Sequence, residues 1–348
     1  MHRSAFRRPL AVVVAAASVL VVAACGGEAA EDGVTGGDGI LTIYSGRNEN
    51  LVGGILEQLR AAAGVDVEVR YGDTAELAAQ ILEEGEATPA DLFFSQDAGA
   101  LGALQGAGRL VPLAPETLEI VPEEFRAADG TWVATSARSR VVAYDPRQVT
   151  EAELPQNLED LTDPKWRGRI GYPPSNASWQ AFVTGVRLAL GEQGARDWLT
   201  RFAANEPVRF ENNIATLDAV DGGQIALGLI NHYYYYPRIA ELGADGVTAR
   251  IHYVGGGDPL GLINVAGVGV IAGSDDEAEA QQAAAFLLSP QAQQYFADET
   301  AEYPVREGVT STVHDLPPLD SLQQPDIELA DLASLEQTQA LLQETGLA

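Results

Sequence analysis

Leu41-Thr42-Ile43-Tyr44-Ser45-Gly46 decides how the chain is read. This short apolar run stops at Ser45-Gly46, and Leu51, Ile55, Leu56 and Leu59 then recur at helical spacing through Ala63. Gly64 closes that helix, and Val65 to Tyr71 alternates as a second strand. Ala75 to Glu84 follows as a second helix, with Leu77, Ile81 and Leu82 on its apolar side. Asp91 to Ser95 is a third strand and Gly99 to Ala107 a third helix. Strands separated by helices of this length predict parallel crossover units. Open sheets of that kind bind ligands beyond the carboxyl ends of their strands. Those ends are Ser45 to Glu49, Asp73-Thr74 and Ser95 to Ala98, and all three are polar.

Downstream the connections change. Thr131 to Tyr144 reads as two consecutive strand-like pieces around Arg138-Ser139-Arg140, and Asp145-Pro146 breaks the pattern. Arg169 to Tyr172 is a strand, and the polar turn Pro173 to Ser178 opens a helix over Trp179 to Gly191. Ala195 to Ala203 is a further helix, Val208 to Phe210 a strand, and Asn212-Asn213 caps a helix over Ala215 to Val220. Arg250 to Val254 and Asn264 to Ile271 are strands flanking a glycine-rich loop, Gly255 to Gly261. Helices follow at Asp275 to Leu287, Pro290 to Phe296 and Ala333 to Thr345. The expected architecture is α/β with two lobes, 40–139 plus 264–314 and 140–263 plus 315–348, and a ligand cleft between them.

The second lobe holds an unusual junction, Leu229-Ile230-Asn231-His232-Tyr233-Tyr234-Tyr235-Tyr236-Pro237. An apolar strand, Ile225 to Ile230, runs into four tyrosines just before a helix that Pro237 would open. At such a junction the backbone leaves its regular period, so adjacent side chains can converge on one point. Ionised phenols are hard oxygen donors, and a bound metal can force their ionisation well below pH 10. The run reads either as an aromatic packing cluster or as a donor set.

The 348 residues carry 50 acidic against 21 basic side chains, a formal charge of −29. Such a surface repels nucleic acid and anionic headgroups. Arg3, Arg7 and Arg8 precede an apolar stretch, Leu10 to Ala24, in the order of a secretory signal. The stretch ends in Val22-Ala23-Ala24-Cys25, similar to a bacterial lipobox, which implies cleavage of 1–24 and lipid attachment to Cys25. Residues 25–39 then read as a flexible tether. Cys25 is the single cysteine, so the folded part has no disulfide. An exported monomer, lipid-anchored to the outer face of the cytoplasmic membrane, is expected.

Taken in order, several pieces resemble a known family. They are Leu41 to Arg47, Ala90-Asp91-Leu92-Phe93-Phe94, Arg138 to Asp145, Pro164-Lys165-Trp166-Arg167-Gly168-Arg169-Ile170-Gly171-Tyr172, Leu229 to Tyr234 and Gln294-Tyr295-Phe296-Ala297. Together, over roughly residues 40 to 314, the chain resembles the ferric-ion-binding proteins of bacterial iron ABC transporters. The resemblance implies a type II periplasmic-binding-protein fold that closes on Fe³⁺ and passes it to an ABC transporter permease. It places the metal-binding tyrosines on Tyr233 and Tyr234, with a synergistic anion, carbonate or phosphate, at Asn176, Ala177 and Ser178. Asn213 and Asn231 match further anion contacts, and Arg47, Arg138 and Arg140 could add charge-assisted bonds. The family's first-lobe histidine and glutamate fall on Asn48 and Gln96, and neither keeps its ligand type. Glu49 and Asp97 are nearby carboxylates, and His232 joins them as a residue lining the cleft.

A receptor of the same fold for a small organic or anionic solute, such as a phosphonate, polyamine or carboxylate, is the alternative. The chain shows no Gly-x-Ser-x-Gly elbow, no His-Glu-x-x-His motif and only four histidines, so binding rather than catalysis is expected.

Overall fold

The computed structural model describes residues 39–323 and 325–348. The expected signal segment, Cys25 and the tether up to residue 38 lie outside the described residues. No helix among those described is long and apolar enough to cross a membrane.

The first lobe begins with the predicted crossovers. Strands β1 (Ile40–Ser45), β2 (Asp66–Tyr71) and β3 (Leu92–Ser95) are parallel, in the order β2-β1-β3. Helices α1 (Glu49–Ala63), α2 (Thr74–Glu84) and α3 (Ala98–Gly106) follow them in turn. Each helix begins at a strand's carboxyl end on a polar cap: Asn48, Asp73 and Asp97 accept from backbone amides of the first turn. Val52, Ile55, Leu56 and Leu59 form the buried face of α1, and Gly64 ends it in a left-handed turn at φ 70°. The short β4 (Leu110–Val111) and α4 (Pro115–Leu118) lead to the strand that joins the lobes.

That strand, β5 (Val133–Tyr144), is one buried 12-residue element rather than the two pieces expected from the sequence. It changes partner midway. From Val133 to Ser139 it pairs with β10 (Ile263–Ile271) in the first lobe, and from Arg140 to Tyr144 with β8 (Leu227–Asn231) in the second. The second lobe adds β6 (Ile170–Tyr172) and β7 (Val208–Arg209), parallel to one another, and β9 (Arg250–His252) against β5. β6 also runs parallel to β8. β11 (Tyr303–Pro304) pairs with β5 on the first-lobe side. The continuous path reads β2-β1-β3-β10-β5-β8-β6-β7.

Helix α5 (Ala177–Ala204) is broken at Gly191, whose φ 70° and ψ 166° are not helical. Glycine takes that backbone at no steric cost, which accounts for the two helices the sequence predicts there. The remaining helices are α6 (Asn213–Asp221), α7 (Tyr235–Leu242), α8 (Glu277–Leu287), α9 (Pro290–Glu299) and α10 (Leu335–Glu344). Each lobe has its own apolar core. Ile43, Phe93, Leu101, Val268 and Phe296 belong to the first, and Trp179, Phe182, Trp198 and Phe202 to the second.

The last segment, expected with the second lobe, divides its contacts. Leu316, Leu319, Leu329 and Leu332 pack on the first core, and Leu341, Leu342 and Leu347 on the second. Its passage over α3 needs glycine: a Cβ at Gly99 would lie 2.7 Å from the Leu332 carbonyl oxygen, and one at Gly102 would strike that of Ala330.

A candidate metal centre in the interlobe cleft

Strand β8 ends at Asn231, and a 3-10 turn over His232–Tyr234 leads directly into α7. The helix starts two residues earlier than Pro237 suggests, because proline is also tolerated within a helix's first turn. The tight turn breaks the strand's alternation and puts two neighbouring phenols side by side. Tyr233 Oη donates to Tyr234 Oη at 3.1 Å, with ring centroids 4.4 Å apart. Burial, then the neighbouring Tyr233, pushes the Tyr234 phenol well above its ordinary value. The other two tyrosines serve packing: Tyr235 lies in an apolar cluster of the second lobe, and Tyr236 Oη donates to Asp315 O at 3.2 Å.

The two phenols line a cavity whose opposite wall is first-lobe: Asn48, Asn50 and Leu51 at the start of α1, and Glu299-Thr300 at the end of α9. The cleft continues past Asn48 to Gln96 and Asp97 on one side and Ser175, Ala177 and Gln180 on the other. Behind the tyrosines a small pocket is lined by Arg138, Arg140, Ser178, Asn231 and Asn264.

The sequence candidates divide on what they bond. Asn176 caps α5, its Oδ1 accepting from the Ser178 amide at 2.9 Å and from Ser178 Oγ at 2.7 Å. Asn213 Nδ2 donates to Ser178 Oγ at 3.2 Å, which ties the starts of α5 and α6 together. Arg140 donates to Ser178 Oγ at 3.3 Å and to Leu229 O at 2.7 Å, packs over Phe182, and is pushed down to about 9 by burial. Arg138 is buried with Nη1 lacking a hydrogen-bond partner among the described residues, and burial lowers its pKa too. Two buried cations beside the tyrosine pair make a setting for an anion.

Arg47 does something else. Its guanidinium forms a buried bidentate pair with Glu302, at 2.9 and 2.5 Å. Burial disfavours its charge, but Glu302 outweighs burial and keeps its pKa above the ordinary value. Arg47 is therefore already neutralised. Asn48 spends its side-chain oxygen on the Asn50 amide at 2.9 Å, and Glu49 is exposed in the first turn of α1. Asp97 accepts from the Ala100 amide at 3.0 Å as the cap of α3, and burial raises its carboxyl. Gln96 lines the cleft, and its backbone amide donates to Thr74 Oγ1 at 3.3 Å.

His232 does not line the cleft. It is fully buried, with both ring nitrogens bonded to backbone, and burial pushes it down to about 4, so it is neutral and packed. Two residues escape sequence reasoning. Glu302 gives no local signal, since its partner lies 255 positions away. Asn264 reads as an ordinary strand residue, yet its Oδ1 accepts from the Val265 amide at 2.8 Å and from the Ala98 amide at 3.3 Å.

Two α/β lobes joined by a shared strand, with a polar cleft where that strand changes partner, define a two-lobed binding-protein fold of type II. The bacterial extracellular solute-binding protein family matches residues 87–328. The Major ferric iron-binding protein of Neisseria meningitidis serogroup A is 33% identical over 313 residues, covering 88% of this chain and 93% of that protein. The Fe(3+)-binding periplasmic protein of Serratia marcescens is 32% identical over 308 residues, covering 88% and 90%. Among solved structures, iron-bound HitA from Pseudomonas aeruginosa superposes with a TM-score of 0.82 at 36% identity, covering 88% of this chain and 99% of that one. The chain belongs to the bacterial extracellular solute-binding proteins, in the family of ferric-ion-binding proteins.

Proposed function

We propose that this protein binds ferric iron through Tyr233 and Tyr234 together with a synergistic anion, carbonate or phosphate, and delivers it to an ABC transporter permease. The observation that carries the reading is the convergence of two phenol oxygens, 3.1 Å apart, at the wall of an interlobe cleft. Fe³⁺ is a hard cation suited to oxygen donors, and phenolate is among the hardest a protein offers. Two phenolates leave the ion one positive charge in excess. Arg138 and Arg140 add to it, so an anion completes the balance, with Asn176, Ala177, Ser178, Asn213 and Asn231 as the residues proposed to hold it. Signal cleavage and lipidation at Cys25 would hold the receptor at the outer face of the cytoplasmic membrane, where a permease could take the ion.

The Tyr234 phenol holds its proton strongly, so iron must displace it; the Tyr233 proton leaves as well. Adding Fe³⁺ with bicarbonate or phosphate to the metal-free protein is expected to give an orange-red tyrosinate-to-iron band. A colourless product overturns the reading.

One observation favours a second reading. Asn48 and Gln96 offer no anionic ligand from the first lobe, while two arginines are buried behind the tyrosines. A small anionic solute stacked on the tyrosines would use the same cleft. Thermal stabilisation by such a solute without metal would favour this reading over iron.

A further inference from the structure

His232 is a buried ionisable group that the iron reading leaves unused. The Ser139 amide can only donate, so Nδ1 is the acceptor, at 3.1 Å. Nε2 therefore carries the proton and donates to the Ala301 carbonyl at 2.9 Å. Both partners sit at structural junctions. Ser139 is the last residue of β5 paired with β10, one position before Arg140 passes the strand to β8. Ala301 lies in the first lobe between α9 and β11, with a left-handed backbone at φ 54° that residues bearing a Cβ rarely adopt. That bend aims its carbonyl at His232. The next residue, Glu302, holds Arg47, and Arg47 precedes Asn48 on the far wall of the tyrosine cleft. A bonded path thus links the two walls: the tyrosine turn, His232, Ala301-Glu302, Arg47, Asn48.

We infer that His232 is a positioning residue for the tyrosine pair, pinning the turn that carries both phenols to the hinge strand through Ser139 and to the first lobe through Ala301. The inference rests on the iron reading for its ligand, and on the hydrogen bonds alone for its geometry. Packing and positioning are separable here. The imidazole stands edge-on to Tyr233 at 5.9 Å and lies 4.7 Å from the Tyr303 ring. A phenyl keeps such ring contacts and loses both hydrogen bonds. A glutamine amide offers one acceptor and one donor, and so can restore them.

The test compares His232→Phe and His232→Gln with the parent protein. Loaded with Fe³⁺ and bicarbonate, His232→Phe is expected to show a shifted tyrosinate band and about tenfold or more weaker iron retention against EDTA, as when an outer partner of a metal ligand is lost. His232→Gln is expected to recover both. A Phe variant with the parent's band and retention overturns the inference. Amide hydrogen exchange over residues 232–236 of the metal-free proteins asks the same question without iron: faster exchange in the Phe variant and parent-like exchange in the Gln variant support it, and equal exchange in all three overturns it. A parent protein that takes no iron defeats the iron reading alone, and hydrogen exchange still decides on His232. If the Phe variant does not fold, parent-like exchange in the Gln variant supports the inference, and parent-unlike exchange overturns it.

Discussion

A phenol buried against a second phenol resists ionisation, and that resistance sets the pH behaviour of the proposed site. Tyr234 is held protonated by burial and by Tyr233, so a cation that takes both oxygens must expel their protons. Iron affinity is therefore expected to weaken steadily as pH falls, which competition titrations at several pH values would measure. Beneath the first-lobe wall, Glu302 is buried against Arg47, and despite burial Arg47 holds its carboxyl below the usual glutamate range. Because that folded pKa is depressed, the pair's contribution is complete above the ordinary glutamate value and is lost as pH falls through the folded one. Glu302→Gln leaves Arg47 as an unpaired buried charge and is expected to cost about 3–5 kcal/mol in urea unfolding at neutral pH, with a weaker acid dependence than the parent. The tyrosine run is legible in the sequence because four phenols follow an apolar strand, whereas the choice of Tyr233 and Tyr234 among them is what the family resemblance implies. Glu302 is not legible, since nothing local distinguishes a glutamate whose partner is distant in the chain. His232 misleads for a related reason: its neighbours place it at the cleft, but its ring turns inward to two backbone groups.

Among the elements, the parallel crossovers are legible because α1 and α2 carry their apolar residues at helical spacing, and their polar caps mark the strand ends. Strand β5 reads as two pieces in the sequence although it is one strand serving two sheets, since a change of partner leaves no mark on alternation. The sequence places the tail with one lobe because its helix alone has a clear pattern, whereas the stretch before it packs through scattered leucines. Its close passage over α3 yields a prediction. Gly102→Ala would drive a methyl into the Ala330 carbonyl, and backbone on both sides leaves little room to relax. A loss of about 1–3 kcal/mol is expected by chemical unfolding. At Gly191 the backbone is extended at positive φ, a region essentially confined to glycine, and a methyl there would meet no neighbouring heavy atom within 4 Å. Alanine at that position should cost only the backbone strain, about 1–3 kcal/mol.

At the scale of the molecule, β5 crosses between the lobes, the Leu262 carbonyl binds the Arg140 amide beside it, and the tail touches both cores. Such an arrangement suits hinge closure, with the tyrosines fixed near the axis and the Asn48 wall moving over them. Small-angle scattering is expected to show a smaller radius of gyration when Fe³⁺ and bicarbonate are added together than with either alone. Arg138→Ala should weaken the dependence on the anion without removing the tyrosine band. Iron donation by Tyr233 and Tyr234 is the proposal on which the rest depends. It is tested most directly by titrating the metal-free parent, Tyr233→Phe and Tyr234→Phe with Fe³⁺ in bicarbonate and following visible absorbance. An orange-red band that saturates near one iron per parent chain, and is lost or greatly weakened in each variant, is expected. A parent without the band, or variants that keep it undiminished, would contradict it.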